Sequence, residues 1–108
     1  MKKRALVVCP GRGTYNASEL GYLQKHHLGH ADVVGVVDAV RAKKGQVPVS
    51  ALDKAEKYAP SVHMTGDNAS PLIYASALAD FAAIDRERFD IVAVTGNSMG
   101  WYLALACA

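Results

Sequence analysis

Asp90-Ile91-Val92-Ala93-Val94-Thr95-Gly96-Asn97-Ser98-Met99-Gly100 is the stretch on which the fold reading turns. Its first six residues are an apolar run with β-branched side chains, opened by Asp90 and ended by Gly96. That is the profile of a strand buried on both faces, as in a parallel sheet. The apolar residues Met99, Trp101, Tyr102, Leu103 and Leu105 then predict a helix over residues 98–108. Gly96-x-Ser98-x-Gly100 therefore lies at a strand-to-helix turn. A β-carbon two positions before or after the serine would crowd so sharp a turn, so glycine holds both places. A serine there projects its hydroxyl as a nucleophile, with a helix N-terminus behind it and the Met99 N–H as first donor to an oxyanion. The same letters also describe an ordinary Gly-Ser turn in which Ser98 caps the helix.

Upstream, Ala5-Leu6-Val7-Val8-Cys9 is a second unbroken apolar run, preceded by charges and stopped by Pro10-Gly11. Two such strands, each ending at a glycine-rich turn, predict an α/β fold: a parallel sheet with flanking helices and a strand–turn–helix unit carrying the serine. If the strands are neighbours, their C-terminal ends lie side by side, where ligands of open α/β sheets bind. The backbone N–H of Arg12, flanked by Gly11 and Gly13, then faces the same oxygen as that of Met99. As a dinucleotide fingerprint the loop fails, because Gly11-Arg12-Gly13-Thr14-Tyr15-Asn16 has no third glycine.

The sequence between the strands reads mostly as helix. Ser18 caps a helix from Glu19 to His26 or His27. Residues 31–44 form a longer one, with Val33, Val34, Val37 and Val40 as a core-facing stripe and Gly45 at its end. Residues 50–58 begin as a capping box, and 62–68 read as loop. Ser70-Pro71 opens a helix running through Ala83. The final helix stops at Ala108 without a closing signal, and two strands make a poor sheet when parallel sheets want cover on both faces. The expectation is a single partial domain, residues 1–108, continuing in a larger α/β domain; a small complete domain is the alternative.

Lys plus Arg is 12 and Asp plus Glu is 10, a net charge of +2, which predicts no nucleic-acid partner. No apolar run approaches the ~20 residues of a membrane helix. The apolar part of the N-terminus is too short for a signal peptide, so no membrane association and a cytoplasmic location are expected. Cys9 and Cys107 sit in apolar runs and read as core thiols. His26 and His30 share a possible helix face, but zinc wants three or four ligands, so solvated histidines and no metal are expected. His63 has no assigned place near the serine.

Taken in order, these motifs resemble the malonyl-CoA:acyl carrier protein transacylases. Pro10-Gly11-x-Gly13 resembles their Phe-Pro-Gly-Gln-Gly-Ser-Gln signature. Gly96-x-Ser98-x-Gly100-x-Tyr102 looks like their nucleophile turn, and Pro71 is similar to their Gln-Pro-Ala element. The three span the chain at the family's spacing. The resemblance implies a two-step transfer: Ser98 takes the acyl group from an acyl-CoA, malonyl-CoA above all, and passes it to the phosphopantetheine thiol of an acyl carrier protein. It implies no bound cofactor. The oxyanion donors would be the backbone N–H groups of Arg12 and Met99.

Several residues depart from the pattern. Arg12, Thr14 and Tyr15 replace the signature's Gln, Ser and second Gln; Ser70 replaces the Gln before Pro71. Asn97 stands where His is usual and Trp101 where Glu is usual. Substrate contacts are therefore expected from Asn97, and from Arg12, which either pairs with an acid group of the substrate or is solvated at a loop tip. The family's base histidine and carboxylate-binding arginine have no counterpart, so this polypeptide alone is expected to be inactive. A serine hydrolase of the patatin-like or α/β-hydrolase type and a non-catalytic fragment are the competing readings.

Overall fold

The computed structural model describes residues 2–11, 13–26 and 31–108. Strand β1, Lys3–Cys9, pairs in parallel with β2, Phe89–Gly96. Between them run α1 (Tyr22–His26), α2 (Ala31–Lys43), α3 (Val49–Asp53), α4 (Pro60–His63) and α5 (Gly66–Ala82), and α6 (Gly100–Cys107) follows β2. The α/β reading holds at this level. The ladder ends with Cys9 opposite Gly96, so the loop after β1 and the turn after β2 leave the sheet at the same edge.

Burial of the sheet on both faces is not what is found. α6 packs across both strands on the side of Val7 and Val94. Leu6 and Val8, 58% and 66% exposed, and Val92 look out from the other side. The register passes from Ala5↔Ile91 to Leu6↔Ala93, leaving Val92 as an extra residue in β2. Such a bulge resets which side chains face inward, and Ile91 and Val94, three apart, are both half-buried.

α5 is the centre of the core, burying Leu72, Ile73, Ala75 and Ala79. It starts at Gly66, not at Pro71, so part of the expected loop 62–68 is its first turn and another part is α4. Pro71 thus lies inside the helix. Having no N–H, it leaves the Asp67 carbonyl without its helical donor. The buried Arg41 of α2 supplies one, its Nη1 donating at 2.7 Å. Its other nitrogens donate to the Asn68 Oδ1 at 2.7 Å and the Val47 carbonyl at 2.5 Å.

The remaining helices are shorter than the sequence suggests. Gly21, at φ +86°, splits the first into a 3-10 turn, Ala17–Glu19, and α1. Ser18 does not cap it; its hydroxyl bonds the Glu19 carboxylate instead. The expected helix over 50–58 is only α3, whose Ser50 N–H and hydroxyl donate to Asp38. Asp53, expected in a capping box, caps α1 from outside, accepting the Leu23 and Gln24 N–H groups at 3.2 and 3.1 Å. α2 forms as expected, with Gly45 at φ +70° behind it. Its valine stripe is only partly core: Val34 and Val37 pack inward, whereas Val40 is 51% exposed.

Candidate active site

Three residues carry the chain from β2 into α6. The helix begins at Gly100, so Ser98 stands in the turn before it, with Met99 at the N-cap. Ser98 has φ +54°, alone among the described non-glycine residues in the left-handed region. That conformation costs an L residue roughly 1–2 kcal/mol and persists where its surroundings enforce it. The two glycines are part of that enforcement. A Cβ on Gly96 would lie 2.1 Å from the Gly100 carbonyl oxygen; one on Gly100 would lie 2.5 Å from that of Cys9. The N–H groups of Gly100, Trp101 and Tyr102 close back on Asn97, Ser98 and Met99. Among the described residues the Met99 N–H makes no backbone hydrogen bond. Ser98 itself is exposed.

The loop after β1 meets this turn. A Cβ on Gly11 would stand 2.8 Å from the Asn97 carbonyl oxygen and 3.5 Å from the Ser98 Cβ. Gly13, at φ +79°, turns the loop in open space. The Thr14 hydroxyl donates to the Gly11 carbonyl at 3.0 Å and the Asn16 amide to that of Gly13 at 2.7 Å. Tyr15 anchors the loop in the core, its buried hydroxyl donating to Asp53 at 2.6 Å. Burial, and then the neighbouring carboxylate, push that phenol well above the ordinary tyrosine range. The expected roles of Arg12 fall on a residue outside the described ones.

Beside Ser98 opens a cleft of about 450 Å³ lined by Ser70, Ser98, Met99 and Tyr102. Ser70 comes from α5 and Tyr102 from the first turn of α6. Ser70 was marked in the sequence only as the neighbour of Pro71, and Tyr102 only as a motif letter four residues after Ser98. Asn97 is exposed and is not among the residues lining the cleft.

Among the described residues no imidazole or carboxylate belongs to that lining. His63 is buried at the end of α4 and stacked on Tyr58 at 5.0 Å. Its Nε2–H donates to the Leu52 carbonyl at 2.9 Å, and its Nδ1 accepts the Ala59 N–H at 3.0 Å. With both nitrogens engaged it is a structural histidine. His26 lies against the Tyr22 ring on α1, and His27 and His30 are outside the described residues. Among the described residues no group of His, Cys, Asp or Glu is arranged to hold a metal. Nor is any described helix long and apolar enough to cross a membrane. Cys9 is buried, and Cys107 packs on the same core. Burial first, and the adjoining Cys9 second, push the Cys107 thiol up to about 11, away from reactivity.

No family model matches the chain, no curated protein matches it, and no solved structure does.

Proposed function

We propose that the chain carries the nucleophile of a serine acyltransferase. The Ser98 Oγ attacks the thioester carbonyl of an acyl-CoA. A C–O bond forms, the C–S bond breaks, and the hydroxyl proton ends on the departing CoA thiol. The acyl group then passes to the phosphopantetheine thiol of an acyl carrier protein, restoring the serine hydroxyl. In this reading the Met99 N–H is the first oxyanion donor and the Arg12 N–H, one residue from Gly11, the second.

One observation carries the proposal: a serine held at φ +54° between two glycines whose added Cβ would meet main chain at 2.1 and 2.5 Å, with a second glycine loop against it. An ordinary capping serine has extended backbone and needs no such enforcement. Resemblance to the transacylases in three ordered motifs favours transfer over hydrolysis. Among the described residues no imidazole stands in the Ser98 cleft, and an unassisted serine hydroxyl is a weak nucleophile, so the expected behaviour of this chain by itself is at most slow, single acylation without turnover.

The test is mass mapping after incubation with a fluorophosphonate and with acyl-CoA thioesters. An adduct on residue 98, lost in Ser98→Ala, supports the reading. Folded protein that labels elsewhere, or nowhere, overturns it. Ser98 is exposed to water, which keeps hydrolysis as the second reading. Partition of a preformed acyl-serine between carrier-protein thiol and water separates the two.

A further inference from the structure

We infer that the groove between α2 and α5 receives the hydrocarbon chain of the acyl group carried on Ser98, an inference that rests on the nucleophile reading of that serine. The groove has a volume of about 450 Å³, and its apolar wall is Val36, Val37, Val40, Pro71, Tyr74 and Met99. That is within the range of roughly 300–1,000 Å³ typical of small-molecule sites. It adjoins the Ser98 cleft, the two sharing Ser70 and Met99 in their walls. Met99 therefore borders both spaces, next in the chain to Ser98.

The groove also explains a feature of α2 that core packing does not. Val34 and Val37 face the core, yet Val36 is 67% exposed and Val40 51%. Exposed valines on a helix have poor helix propensity and no partner there. Both side chains line the groove.

The apolar wall argues for a hydrocarbon over an acid-terminated group. Arg41 reaches the groove with its guanidinium hydrogen-bonded to three neutral oxygens, those of Val47, Asp67 and the Asn68 side chain. Lys44 is exposed at the rim. A malonyl group offers this apolar wall a single methylene, whereas each further methylene buried there strengthens binding roughly fourfold. The acyl group assigned here thus differs from the malonyl group that the motif resemblance implies.

The test compares acetyl-, malonyl- and octanoyl-CoA in two measurements. The first is calorimetric binding to Ser98→Ala, which removes the chemistry. Octanoyl-CoA is expected to bind at least tenfold more tightly than the other two. Val40→Glu and, separately, Val36→Glu in that background are expected to erase the preference; both positions are exposed, so folding tolerates them. Equal affinities, or a preference that survives both substitutions, overturns the inference. The second measurement is the rate of adduct formation on Ser98 in the unsubstituted chain. Adducts forming equally fast from acetyl- and octanoyl-CoA leave the nucleophile reading standing and sink the groove. An octanoyl preference in binding with no adduct from any thioester or fluorophosphonate sinks the nucleophile reading, and with it the claim that the groove serves Ser98.

Discussion

Gly11 abuts Ser98 so closely that a Cβ on the glycine would touch the serine's own at 3.5 Å. Residues far apart in the chain are joined here because parallel pairing sets Cys9 opposite Gly96, and each strand then turns over the same end of the sheet. The turn at Ser98 is thus built by two backbones, and its tolerance to substitution follows from which backbone each glycine meets.

Gly100→Ala is expected to destabilise the fold by about 1–3 kcal/mol, because its Cβ would overlap the Cys9 carbonyl at 2.5 Å and both are main chain. Gly13→Ala meets nothing within 4 Å and suffers only its positive φ, a cost of about 1–2 kcal/mol. Denaturant midpoints should rank Gly100→Ala as the more damaging. Gly96→Ala, at 2.1 Å from the Gly100 carbonyl oxygen, should be at least as severe.

Ser98→Gly and Ser98→Ala both remove the hydroxyl, and only glycine is at ease at φ +54°. Relief of strain less the added chain entropy leaves Ser98→Gly more stable than Ser98→Ala by about 0.5–1 kcal/mol. Chemical denaturation of the pair measures the strain at the turn; equal stabilities would mean it is not stored there.

Arg41 and Pro71 form a coupled pair through the Asp67 carbonyl. Arg41→Met removes three hydrogen bonds made by a buried guanidinium and should cost on the order of 2–4 kcal/mol. Adding Pro71→Ala restores a helical N–H for Asp67 and should recover part of that loss. A double-mutant cycle reads the coupling, and strictly additive effects would show that the arginine acts elsewhere.

Alkaline stability should depend on Tyr22. The hydrogen bond to Asp80 first, and then burial, push its hydroxyl up to about 12, against about 10 for an unfolded tyrosine. The folded state then holds a proton that the unfolded state releases. Stability is complete below about pH 10 and falls as pH rises from there through about 12. Tyr15 shifts in the same direction, through burial and then Asp53. Tyr22→Phe should make the loss between those pH values shallower in urea titrations at stepped pH.

Both strands, the helix α2 and the glycine–serine turn were legible in the sequence, because each depends on neighbours within a few residues: an apolar run, a helical period, a pair of glycines around a bend. The bulge at Val92, the early start of α5 and the true cap of α1 were not. Each is decided by a partner distant in the chain: the opposing strand, Arg41 reaching Asp67, and Asp53 reaching Leu23. Composition alone does not tell a valine facing the core from one facing a groove, so Val34 and Val40 read alike until α5 is set beside α2. The sequence by itself determined that a serine stands at a sharp corner after a strand. Only the tertiary structure decided what stands around that corner, because Gly11, Ser70 and the α2 valines come to it from separate segments that meet only when the core closes.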